Sequence, residues 1–98
     1  MKPDGVDEKR QQRARLRDEL YRRVAANEIG LPDAVRLMRR IADKTQDEYA
    51  RLVGVSPRIL KELERGVGNP TLETIRKVLA PFGLDVGVRR RPKESGSV

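Results

Sequence analysis

Apolar residues recur at helical spacing through most of the chain. Leu16, Leu20 and Val24 follow one another every four residues, with Tyr21 alongside, in a stretch otherwise charged or small. The pattern predicts a helix over 7–27 with a narrow apolar stripe, packed either on the rest of the chain or on a partner. Asn27 and Gly30 suit its end, and Pro32 suits the first turn of a second helix, expected over Leu31–Asp43 with Val35, Met38, Ile41 and Ala42 buried. Thr45-Gln46-Asp47-Glu48 reads as a capping box, the Thr45 hydroxyl capping the Glu48 amide and the Glu48 side chain reaching back to Thr45. A third helix starts there, turns Tyr49, Ala50 and Val53 inward and stops at Gly54. Ser56 then caps a fourth helix with Pro57 at its first position, Leu60 and Leu63 inward and Gly66 as its stop. Beyond the loop Val67-Gly68-Asn69-Pro70, Thr71 caps a fifth helix with Leu72, Ile75, Val78, Leu79 and Phe82 on one side. Pro81 predicts a distorted last turn or a stop at Leu79 or Ala80.

After Gly83 the period changes from about 3.6 to about 2. Leu84, Val86 and Val88 alternate with Asp85, Gly87 and Arg89, a strand pattern. A lone strand has open edges and needs a mate. The same strand of a second subunit, related by a two-fold axis, would supply one; an extended tail lying on its own domain is the alternative. Residues 1–6 and 92–98 carry Pro, Gly and Ser without periodicity. The expected division is an extension with an amphipathic helix over 1–30, a helical domain over 31–83, and a strand with a basic tail over 84–98.

Composition narrows the chemistry. The 98 residues contain no Cys and no His. That removes a disulfide framework, thiolate metal sites, a Cys nucleophile and an imidazole base, so no metal and no cofactor are expected. The carboxylates are scattered along helices, with no Gly-rich phosphate loop and no base–nucleophile set, which argues against an enzyme. No apolar run reaches the roughly 18 residues of a membrane span. Met1-Lys2-Pro3-Asp4-Gly5 leads into charge rather than into an apolar signal segment, so a cytoplasmic protein is expected. A chain of this length buries only about 60–65% of its unfolded surface, a thin core that a second subunit would help.

The charge adds a partner. Lys and Arg number 22 against 15 Asp and Glu, a net +7, and the pI is about 10.4. Sixteen of the 22 cations are arginine, whose planar fork grips phosphates and guanine edges. The excess is spread along the chain, so no segment is a basic arm. Tyr21, Tyr49 and Phe82 are the whole aromatic complement, too few for a platform that stacks single-stranded bases.

Two short helices, Thr45–Val53 and Ser56–Arg65, joined by a tight turn at Gly54, have the outline of a helix-turn-helix, which a generic helical hairpin shares. The stretch Thr45-Gln46-Asp47-Glu48-Tyr49-Ala50-Arg51-Leu52-Val53-Gly54-Val55-Ser56 resembles the Xre/Cro/lambda-repressor-like family, in which such a run leads into the recognition helix. Leu63-Glu64-Arg65-Gly66, followed by Asn69-Pro70, is similar to that family's recognition-helix exit and following loop. The resemblance covers about residues 31–83. It implies an all-α, five-helix lambda-repressor-like helix-turn-helix domain, here with an extra N-terminal helix and a C-terminal strand. Leu79-Ala80-Pro81-Phe82-Gly83-Leu84-Asp85-Val86-Gly87-Val88 resembles the end of HipB-like antitoxins, in which such a strand pairs across a dimer; HigA-type antitoxins are less alike here.

The resemblance implies a homodimeric, sequence-specific repressor of double-stranded DNA with an inverted-repeat operator, acting as the antitoxin of a toxin–antitoxin pair and controlling its own operon, with a cognate toxin as further partner. A prophage or stand-alone regulator, or a protein-interaction module that no longer binds DNA, are the alternatives. The recognition helix would enter the major groove N-terminus first, with Pro57, Arg58, Lys61 and Glu62 outward. Arg58 and Lys61, three apart on one face, can reach guanine N7 and O6, and Glu62 can accept from a cytosine amine or orient Arg58. Ile59 stands where the family carries a polar residue, and either touches a thymine methyl or packs on the domain. Pro57 replaces a polar reader, so one base contact of the family pattern is expected to be missing. Gln46 matches the position that donates its amide to the DNA backbone in the resembled family. Lys44, Thr45, Ser56, Asn69 and Thr71 are further phosphate candidates, with Thr45 and Ser56 helix caps first. Glu64 resembles the family glutamate that pairs with an arginine of the domain's first helix, here Arg39. Arg36, Arg40 and Arg51 read as solvated surface, and Arg89-Arg90-Arg91 as a basic tail or a phosphate contact.

Overall fold

The computed structural model describes residues 5–91. Their regular structure is all helical: α1 (Gly5–Ala25), α2 (Leu31–Ala42), α3 (Gln46–Val53), α4 (Pro57–Arg65) and α5 (Leu72–Leu79), closed by a 3-10 turn at Ala80–Phe82. Among the described residues no helix is long and apolar enough to cross a membrane.

Local chemistry sets most of these boundaries. The Thr45 hydroxyl accepts from the Glu48 amide at 3.1 Å, and the Glu48 carboxylate accepts from the Thr45 amide at 2.9 Å, completing the capping box at the start of α3. The backbone hydrogen bond from Thr45 is the main reason the Glu48 carboxyl lies below its ordinary pKa. Ser56 and Thr71 cap α4 and α5, accepting from Ile59 and Thr74 at 3.1 Å each. Two ends differ from expectation. α1 stops at Ala25 because Asn27 takes a left-handed conformation (φ 57°) that returns the Asn27 and Glu28 amides to the last turn. Asp43, expected inside α2, is its left-handed cap (φ 55°), with its amide donating to the Arg39 and Arg40 carbonyls. Asp tolerates this conformation better than most residues, so the helix can end without a glycine.

One core serves all five helices. Leu20 of α1 is fully buried with Val35, Met38 and Ile41 of α2, Tyr49 and Ala50 of α3, Leu60 and Leu63 of α4, and Val78 and Leu79 of α5. Leu16 and Val24 pack at its edge, so the stripe of α1 lies against the chain itself. Two tyrosine hydroxyls tie the helices together. Tyr49 donates to the Val78 carbonyl at 2.9 Å, joining α3 to α5, and Tyr21 donates to the Phe82 carbonyl at 2.7 Å, joining α1 to the 3-10 turn. Leu72, expected inward, is exposed: it opens the first turn of α5, ahead of the turns that reach the core.

Residues Leu84–Val88, expected as a strand, form no regular structure and no ladder with another described segment, though the Leu84 amide donates to the Leu79 carbonyl at 3.4 Å and Asp85 pairs with Arg76 of α5 at 3.0 Å. Leu84 packs on the core, whereas Val86 is 47% exposed and Val88 fully so. Hydrogen bonds within one chain therefore do not satisfy this segment's period-two pattern. The part of the basic tail at 92–98 lies outside the described residues.

Burial raises the Tyr49 hydroxyl pKa to about 12. The folded state thus holds this proton more tightly than the unfolded chain, whose tyrosine titrates near 10. The contribution is fully present below about pH 10 and is lost as pH rises toward 12. Tyr49→Phe is expected to cost about 1–2 kcal/mol at neutral pH, by leaving the Val78 carbonyl unpaired. It should also flatten the alkaline fall in stability, as read by urea unfolding at a series of pH values.

Candidate nucleic-acid interface

The turn between α3 and α4 is built from one glycine and one cap. Gly54 sits at φ 80° with its amide on the Ala50 carbonyl at 2.9 Å, and the Val55 amide shares that carbonyl at 3.0 Å. A residue with a Cβ would be strained there by its backbone alone, because nothing crowds the position. Ser56 then starts α4 immediately, which fixes the two helices as a tight pair with a common core edge.

α4 buries Leu60 and Leu63 and turns a polar face to solvent. Pro57 and Lys61 lie on that face, and the Arg58 side chain is 88% exposed. Arg58 and Glu62 form an ion pair of 3.1 Å one helical turn apart. Glu62 is itself half-covered by the following loop: a Cβ on Gly68 would overlap its carboxylate, and Gly68 lies at φ 82°. Of the two roles open to Glu62, orienting Arg58 is the one these contacts favour. Ile59 packs against the core from the edge of α4.

Beneath this face lies a buried carboxylate. Glu64, 3% exposed, accepts from both Nε and Nη2 of Arg39 at 2.8 and 3.0 Å, and from Nε2 of Gln46 at 3.1 Å. The bond to Glu64 is the main cause of a raised Arg39 pKa, so the guanidinium stays charged. Arg36 donates to the backbone carbonyl of Glu64 and pairs with Asp33. One carboxylate and its own carbonyl thereby join α2, α3 and the last turn of α4. Arg36, expected at the solvated surface, instead braces this joint; its position one turn before Arg39 on α2, facing the end of α4, is the signal that identifies it.

The phosphate candidates are dispersed around the same side. Gln46 is half-buried, with one amide proton on Glu64 and a second left for another acceptor. Lys44, Thr45, Ser56 and Asn69 are exposed. The Thr45 and Ser56 oxygens accept the capping bonds, leaving their hydroxyl protons to donate outward. Thr71 differs: its hydroxyl donates to Thr74 Oγ1 at 2.9 Å while accepting the Thr74 amide, so its proton is already used.

The family model described as helix-turn-helix matches residues 35–88, more than half of the chain. No curated protein and no solved structure matches it.

Glu64→Ala would strand Arg39 and Gln46. A loss of about 2–4 kcal/mol is expected, below the range for a fully buried pair because the Arg39 side chain stays 25% exposed. Chemical unfolding measures it, and a loss under about 0.5 kcal/mol would mean that water replaces the carboxylate without penalty.

Proposed function

The chain belongs to the Xre/lambda-repressor-like helix-turn-helix family of DNA-binding transcription regulators, and from that premise we propose that it is a sequence-specific repressor acting as a homodimer on an inverted-repeat operator. The observation that carries the reading is the solvent face of α4, where Arg58 and Lys61 project from a helix whose start is fixed by Gly54 and Ser56 and whose end is anchored through Glu64. In this role Arg58, oriented by Glu62, and Lys61 read guanine edges in the major groove. Pro57 shapes the tip of the helix without a polar contact, and Ile59 supports it from the core side. Gln46, Lys44, Thr45, Ser56 and Asn69 grip the backbone and set register. Thr71, its hydroxyl engaged, serves through the backbone of its turn.

The homodimer is supported by Val86 and Val88, apolar and exposed on a segment with strand periodicity and no strand partner among the described residues. Pairing Leu84, Val86 and Val88 with the same strand of a second copy would cover them and set two recognition helices about 34 Å apart, one turn of DNA. The resemblance of Leu79–Val88 to HipB-like antitoxins favours an antitoxin that represses its own operon and binds a cognate toxin, and the cell compartment for this work is the cytoplasm. A regulator without a toxin uses the same DNA chemistry. Co-purification from the native host separates the two, since only the antitoxin brings down the product of an adjacent gene.

Selection from random duplexes should return an inverted repeat. Arg58→Ala or Lys61→Ala should then cost about 1–3 kcal/mol and relax preference at one base pair per half-site. Equal losses on operator and random DNA would remove these residues from base reading. Val86→Asp with Val88→Asp, both at exposed positions, should give folded monomers by light scattering; a persistent dimer would put the interface elsewhere.

A further inference from the structure

A cleft of about 450 Å³ opens between the first half of α1, the end of α2 and the start of α3. Five cations line it, Arg39, which pairs with Glu64, and four others, Lys9 and Arg13 from α1 with Arg40 and Lys44 from α2 and the α2–α3 link, against two carboxylates, Asp43 and Glu48. None of the four cations makes a side-chain ion pair or hydrogen bond among the described residues. Glu48 is committed to the capping box, and the Arg39 guanidinium at the cleft wall is satisfied by Glu64. Packing does not require these charges. The apolar stripe that holds α1 to the core runs from Leu16 to Val24, whereas Lys9 lies nearly two turns before it. A protein that gathers more cations than carboxylates onto an open surface incurs self-repulsion unless an anion joins them.

We propose that the first half of α1 is a second DNA-backbone arm, in which Lys9 and Arg13, with Arg40 and Lys44, hold phosphates flanking the half-site. The inference rests on the DNA-binding reading above. The occupant is argued from continuity: Lys44 and Thr45 line the cleft and also belong to the backbone-gripping set at the start of α3, so a strand held there runs directly past the cleft mouth. Phosphodiester charge fits a cleft where these four cations outnumber the two carboxylates. Among the described residues the Asp43 carboxylate makes no hydrogen bond or ion pair, unlike that of Glu48, and its charge would weaken the hold.

The test is the salt dependence of binding of the full chain to a fluorescein-labelled, mixed-sequence duplex, followed by anisotropy. Removing one cation that neutralises a phosphate lowers the slope of log K against log salt by about 1, so Lys9→Gln with Arg13→Gln should lower it by about 2 while leaving the operator-to-random ratio unchanged. Asp43→Asn keeps a residue that tolerates the left-handed cap and should tighten binding, an effect opposite to any damage to the fold. An unchanged slope in the double variant with no gain from Asp43→Asn, in a protein that still binds duplex DNA, would overturn the arm alone and leave the cleft to another partner, such as an acidic protein segment. If the unaltered chain bound no duplex at any salt concentration, the DNA-binding reading itself would fall.

Discussion

The geometry of the solvent face of α4 depends on one buried negative charge. Glu64 sits near the end of α4, where the helix dipole disfavours an anion, and it is almost wholly out of water. A lone carboxylate there would be costly. The fork of Arg39 and the amide of Gln46 supply the compensation, and they come from different helices. The charge therefore works as a three-way tie: α2 and α3 must be correctly placed before α4 can bury its last turn. Arg36, on the Glu64 carbonyl, closes the same joint from the backbone side. Apolar packing of Leu60 and Leu63 alone would leave α4 freer to roll, since hydrophobic contact has no direction whereas a bidentate pair fixes an angle.

Much of the fold was legible because its punctuation is local. A capping box, two further caps and a glycine at each of two helix stops act within four residues, so Thr45, Ser56, Thr71, Gly54 and Gly66 mark the elements directly in the chain. What escaped were features set by distant groups or by ambiguous residues. Asp43 as a left-handed cap carries no glycine to announce it. The exposure of Leu72 depends on where α5 begins relative to the core, which periodicity does not define. Arg36 and Gln46 both owe their positions to Glu64, eighteen or more residues away. For Leu84, Val86 and Val88 the alternation is plain, but no strand among the described residues pairs with it.

The site was legible unevenly for the same reason. Exposure of Arg58 and Lys61 follows from helix phase, given where Ser56 starts α4. The half-covered state of Glu62 does not, because it is set by a loop that folds back through Gly68. The use of the Thr71 proton by Thr74 was equally invisible: a cap motif specifies that the oxygen accepts, not where the hydrogen goes. Lys9 and Arg13 stand in the sequence among the many charged positions of α1, and only the packing of α1 brings them beside Lys44.

The bond from Tyr21 to the Phe82 carbonyl spans 61 residues of sequence, whereas the helix caps and turns close over a handful. Closing so long a loop carries a greater entropic cost than forming the neighbouring helical turns. Contacts of large sequence separation slow folding relative to local ones. The clasp fastens the second half of α1 to the 3-10 turn after α5, and a contact made late in folding acts on the lifetime of the folded state more than on the speed of reaching it.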